Sequence, residues 1–121
     1  MSADLKAERY RAAWEAVNDR DLKNELKGLP MAIRAMGLPQ TIAILQGRGG
    51  VSEQIAEHLA AWLLRDHPAR LLQVSGLPKT GRVPARVLLA ALLESTDPIA
   101  TAALADEAIE YAAAMKLLAA R

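Results

Sequence analysis

The tripeptide Gly-Leu-Pro occurs three times, at Gly28-Leu29-Pro30, Gly37-Leu38-Pro39 and Gly76-Leu77-Pro78. A glycine that follows a helix adopts the left-handed conformation at little cost, and a proline suits the first turn of the next helix, where its missing N–H has no partner to lose. Each tripeptide therefore reads as a sharp corner between helices. The offsets between them share no common period, which excludes a solenoid of repeats. Between the corners the chain draws on a helix former's alphabet, 25 alanines and 19 leucines in 121 residues. No stretch alternates polar and apolar residues for long enough to make a strand. The expectation is an all-α fold over residues 1–121, a single-domain compact bundle of about five to seven helices. A domain of this size buries roughly two-thirds of its unfolded surface and needs no staples.

The first helix is expected from about Leu5 to Leu26, weakening near Asn18 to Asp21, with Tyr10, Ala13, Trp14 and Val17 inward and Glu8, Arg11, Glu15 and Asp19 outward. Short helices follow over Pro30–Met36 and Pro39–Gln46, and Leu38 is placed to pack back on Ile33. Gly47 to Gly50 breaks the chain, and Ser52 reads as the N-cap of a helix to Arg65 whose apolar face is Ile55, Leu59, Trp62 and Leu63. A turn of helix is expected from Pro68 to Gln73, an exposed loop from Ser75 to Val83, and a core helix over Ala85–Leu93. Asp97-Pro98 caps and opens the last helix, to about Ala120, with Leu104, Ala108, Tyr111, Met115 and Leu118 inward and Asp106, Glu107 and Glu110 in solvent.

Several functions lack the residues they need. There is no cysteine, hence no disulfide and no thiolate metal site. The longest apolar run, Val87 to Leu93, falls far short of the roughly 20 residues of a membrane span. The charged start of the chain argues against a secretory signal, so a soluble cytoplasmic protein with no membrane partner is expected. His58 and His67 lack a third ligand at metal-site spacing and read as surface histidines. Gly76 to Val83 has the glycine separation of a Walker A loop, but Arg82 and Val83 stand where lysine and a hydroxyl residue belong. Gly47 to Gly50 has no preceding strand to make a dinucleotide fingerprint. Thr41, Ser75, Thr80, Ser95, Thr96 and Thr101 have no histidine suitably spaced to activate them, and Asp106 with Glu110 is an exposed helix pair. No catalytic group, metal or cofactor is expected.

The net charge of +1 conceals an uneven distribution. Residues 1–26 hold five bases and six acids, residues 27–86 eight and three, and residues 87–121 two and five, giving balances of −1, +5 and −3. The middle segment supplies candidates for phosphate contact: Lys27, Arg34, Arg48, Arg65, Arg70, Lys79, Arg82 and Arg86. The bland alternative is a solvated mixed-charge surface.

The stretch from Leu26 to Leu45 resembles the small all-helical subunit of the type III-B CRISPR effector, the Cmr complex. The resemblance rests on Leu29, Pro30, Ile33, Gly37, Leu38, Gln40 and Thr41, followed by the apolar run Ile42 to Leu45. The long helix ahead of it and the Glu107-Ala108, Tyr111 and Lys116 pattern behind it extend the likeness over most of the chain. Met36, Pro39 and Ile44 depart from the family pattern, which often has asparagine, a small residue and an aromatic there. The resemblance implies a non-catalytic antiviral-defence subunit, present in several copies, that stacks as a filament against other Cmr subunits and contacts guide and target RNA. Base pairing with the guide would then read sequence, leaving shape and phosphate to the protein. The competing reading is an unrelated helical interaction module, a homo-oligomeric regulator or adaptor that binds no nucleic acid.

Overall fold

A computed structural model describes residues 4–17 and 22–119. Seven α-helices and no strand occur among them: α1 Leu5–Val17, α2 Lys23–Leu26, α3 Leu29–Met36, α4 Leu38–Arg48, α5 Gly50–Ala61, α6 Ala85–Glu94 and α7 Pro98–Ala119. The all-α expectation therefore holds. The expected weakening at Asn18 to Asp21 and the expected helix end at Ala120 lie outside the described residues. The 22-residue α7 is the spine, about 33 Å long at 1.5 Å per residue. Helices α1, α2 and α3 pack along it, α4 packs on α5 and α6, and α5 closes the gap back to α7. One cluster of buried residues runs through both groups, from Ala13 and Leu26 through Ile42, Ile55 and Leu88 to Leu104 and Met115.

The corners work by a division of labour within the tripeptide. In the first two, leucine is the first helical residue and a core anchor, Leu29 and Leu38 both being buried, and proline sits next in the first turn. Gly37 is at once the last cap of α3 and the first of α4, with φ of 88° and ψ of 162°, a backbone that disfavours any side chain. Gly28 corrects the expectation of a left-handed turn, since its φ is −107°. Gly76 has φ of 78° but precedes no helix, so the third tripeptide is a bend within irregular chain. Asp97 caps α7 as expected, accepting the N–H groups of Ile99 at 3.0 Å and Ala100 at 3.1 Å. Ser52 caps nothing, because Gly49, with φ of 68°, turns the chain early enough for α5 to start at Gly50.

Helix α5 runs into a π-helical turn, Trp62–Asp66, closed by the His67 N–H donating to the Trp62 carbonyl at 2.9 Å. The helix expected over Pro68–Gln73 does not form. Pro68 holds His67 extended, with ψ of 128°, and Arg70 takes a left-handed φ of 50°, so the chain stays irregular until α6. Val83, expected in an exposed loop, is buried at the end of this segment. Helix α6 is buried along Ala85, Leu88 and Leu92 only, whereas Leu93 is exposed. Trp14 also departs from expectation, at 47% exposed. Helix α1 turns its small residues Ala13 and Ala16, with Val17, onto α7, and the Tyr111 hydroxyl donates to the Ala12 carbonyl at 3.4 Å.

Glu107 and His67 are the larger corrections, since both were expected at the surface and both are buried. Arg9 clamps the Glu107 carboxylate with two hydrogen bonds, Nε to Oε2 at 2.6 Å and Nη2 to Oε1 at 2.9 Å. Trp62 Nε1 donates to Oε2 at 2.9 Å. His67 accepts the Ala69 N–H on Nδ1 at 3.0 Å, which leaves the proton on Nε2, 3.3 Å from Glu107 Oε1 but off hydrogen-bond alignment. The Trp62 ring stacks on Tyr111, centroids 5.4 Å apart, and meets His67 obliquely at 5.2 Å. Burial pushes the Tyr111 hydroxyl pKa up. For Glu107, burial opposes the charged form, but the hydrogen bonds from Arg9 and Trp62 and the charge of Arg9 outweigh it and hold the carboxyl below its ordinary 4.5.

Removing one partner from a buried ion pair leaves the other uncompensated, so Glu107→Ala is expected to lower the unfolding free energy by about 3–5 kcal/mol in urea titration. Because the folded carboxyl titrates below its unfolded value, its contribution is complete above 4.5 and is lost as pH falls through the folded value. In Glu107→Gln that segment of the stability-versus-pH curve flattens, and an unchanged curve would show that the carboxylate is not held this way.

Candidate nucleic-acid interface

The eight basic candidates do not form one face. Lys27 follows α2 and is exposed. Arg34 lines a groove with Asp106 and Glu110, and Arg48, in the last turn of α4, lines another with Glu25. In each case carboxylates share the space and dilute the positive field. The other five, Arg65, Arg70, Lys79, Arg82 and Arg86, fall between the π-helical turn and the start of α6. Arg82 lies 3.2 Å from Glu57. Arg86, in the first turn of α6, lines a groove of about 740 Å³ that also holds Glu94.

Arg65, Arg70 and Lys79 share a second groove of about 360 Å³, lined by no carboxylate. The two grooves have Leu72, Gln73 and Val74 as their common wall. Arg65 is only 18% exposed and already engaged. Its guanidinium holds Asp66 at 2.7 Å and donates to the backbone carbonyls of Pro78 at 2.9 Å and Gly81 at 2.6 Å. It shapes the rim rather than offering a free charge. Arg70 and Lys79 are exposed and have no carboxylate within ion-pair distance among the described residues. The Arg65 bonds also settle the Walker-like spacing. The bend over Gly76 to Gly81 turns carbonyls toward a cation, whereas a phosphate cradle turns N–H groups inward.

The motif residues are structural. Leu29, Ile33, Leu38 and Thr41 are buried, Pro30 is partly buried, and the Thr41 hydroxyl donates to the Gly37 carbonyl at 2.8 Å, reinforcing the corner. Gln40 is exposed on α4. Among the described residues no three His, Asp or Glu side chains stand close enough to hold a metal, and no helix is long and apolar enough to cross a membrane. Sequence reading missed the exposed apolar side chains Met31, Leu93 and Ile99. For Ile99 a signal existed, since it lies about 140° around α7 from the Leu104 stripe.

The geometry thus defines an all-helical protein whose most distinctive surface is a small cationic groove on irregular chain. Residues 5–120 match the family described as CRISPR-associated protein (Cas_Cmr5), and the chain belongs to that family. Its members are the structural small subunit of the type III-B Cmr effector complex, so association with other Cmr subunits follows. No curated protein and no solved structure matches the chain.

Arg65→Ala is expected to free the rim, with amide exchange over residues 76–81 rising about tenfold while global stability changes little. Unaltered exchange there would show that other contacts hold the bend.

Proposed function

We propose that this chain is a non-catalytic Cmr subunit that folds as one domain, stacks in several copies as a filament along the backbone subunits, and contacts guide or target RNA in the cytoplasm. The observation that carries the RNA contact is the groove over the 65–79 segment, where Arg70 and Lys79 stand exposed with no carboxylate in the lining. The contact narrows to that segment and to Arg86, which adjoins it across the Leu72–Val74 wall although Glu94 shares its groove, leaving Lys27, Arg34, Arg48 and the Glu57-paired Arg82 to local roles. Phosphate neutralisation releases counterions without reading sequence, which suits a subunit whose complex reads by base pairing. Met31, Leu93 and Ile99 offer apolar area for neighbouring subunits. A single copy binds weakly, and copies aligned on one strand multiply the affinity.

The test is RNA retention by the assembled complex as salt rises. With Arg70→Glu and Lys79→Glu together, the slope of log affinity against log salt is expected to fall by about 0.7 for each lost contact per copy. An unchanged slope would remove this segment from the interface.

A further inference from the structure

The cationic groove has an apolar lining that phosphate contact alone does not need. Leu72, Val74 and Leu77 line it, each partly buried and packed against the hydrophobic core, together with the exposed Arg70, Gln73 and Lys79. A site that met only the outside of a duplex would gain nothing from half-buried aliphatic side chains, because a duplex presents phosphates and base edges. The face of a base becomes available only when the nucleotide is unstacked. The volume, about 360 Å³, is at the lower end of the roughly 300–1,000 Å³ typical of small-ligand clefts, room for one nucleotide. The Arg65 bonds to the Pro78 and Gly81 carbonyls tie down the rim beside Lys79, so the chain's own hydrogen bonds hold the concave shape.

We infer that this groove seats one unpaired nucleotide of a bound strand, with its phosphate between Arg70 and Lys79 and its base on Leu72, Val74 and Leu77. The inference rests on the RNA contact proposed above and goes further in assigning a base-dependent part to the binding. Gln73 offers both a donor and an acceptor to the base edge, so the seat tolerates different bases. The occupant is a strand rather than a free mononucleotide, because Arg86, which shares the adjoining groove with Glu94, stands across the Leu72–Val74 wall and places a further cation beyond the reach of one phosphate.

The test is a titration of the full-length, methyl- and amide-labelled chain, followed by NMR, with four probes: inorganic phosphate, ribose 5-phosphate, adenosine 5′-monophosphate and a single-stranded tetra-adenylate. Adenosine monophosphate is expected to shift the methyl signals of Leu72, Val74 and Leu77 and to bind about tenfold more tightly than ribose 5-phosphate, through apolar area that only the base can cover. The tetranucleotide should bind more tightly again, and Arg70→Gln with Lys79→Gln should weaken both. Equal affinity for ribose 5-phosphate and the nucleotide would overturn the base seat while leaving the phosphate contact standing. Tighter binding of the mononucleotide than of the tetranucleotide would overturn the strand as occupant. Shifts confined to other residues, or none with any probe, would overturn the groove as the seat. The salt slope of the assembled complex would then judge the RNA contact separately.

Discussion

A single buried carboxylate organises the molecule. Glu107 projects from the middle of α7 and is met by Arg9 from α1, Trp62 from the end of α5 and His67 from the start of the irregular segment. Two parts of the chain that are distant in sequence, α1 and the 62–67 turn, are thereby fixed against one spine. A buried charge is unfavourable unless its oxygens are filled, and here both oxygens of Glu107 accept hydrogen bonds. The aromatic stack of Trp62 on Tyr111 shields the cluster and ties it into the alanine-rich packing of α1 against α7.

That anchor also decides where the cationic groove can be. The π-helical turn begins at Trp62, which Glu107 holds, and ends one residue before His67, which faces Glu107 across 3.3 Å. Arg65 therefore leaves the turn from a fixed base, and the bend it grips at Pro78 and Gly81 is carried with it. The groove is thus tied to the buried Glu107 contacts, although much of it lies on chain with no regular structure.

How much of this was legible in the sequence follows from which signals are local. The first two Gly-Leu-Pro corners and the Asp97-Pro98 start depend on the backbone preferences of a few adjacent residues, so α3 and α4 fall within a residue or two of expectation and α7 starts where expected. Glu107 and His67 were misplaced because a charged or polar residue is buried only when distant partners exist, and Arg9 is 98 residues away. Trp14 was misplaced because size suggested an inward position, while the close approach of α1 to α7 favours small side chains. The irregular chain over Pro68 to Gln73 escaped notice because its composition resembles its helical neighbours and Arg70 takes a left-handed conformation, whereas the irregular chain from Ser75 onward was legible in its prolines and glycines. Of the candidate interface, the excess of positive charge was readable from composition. Its division into a free groove, a structural strut and carboxylate-neighboured outliers required the fold.

The grip of Arg65 on the Pro78 and Gly81 carbonyls spans 13 and 16 residues of chain. In polymer terms it is a reversible cross-link, closing a ring whose entropy would otherwise have to be surrendered at the moment of binding. A cross-link made of hydrogen bonds differs from a covalent one in that a stronger anion can compete for the same guanidinium. The ring is closed by those two bonds, and a phosphate arriving at Arg65 would have to open it.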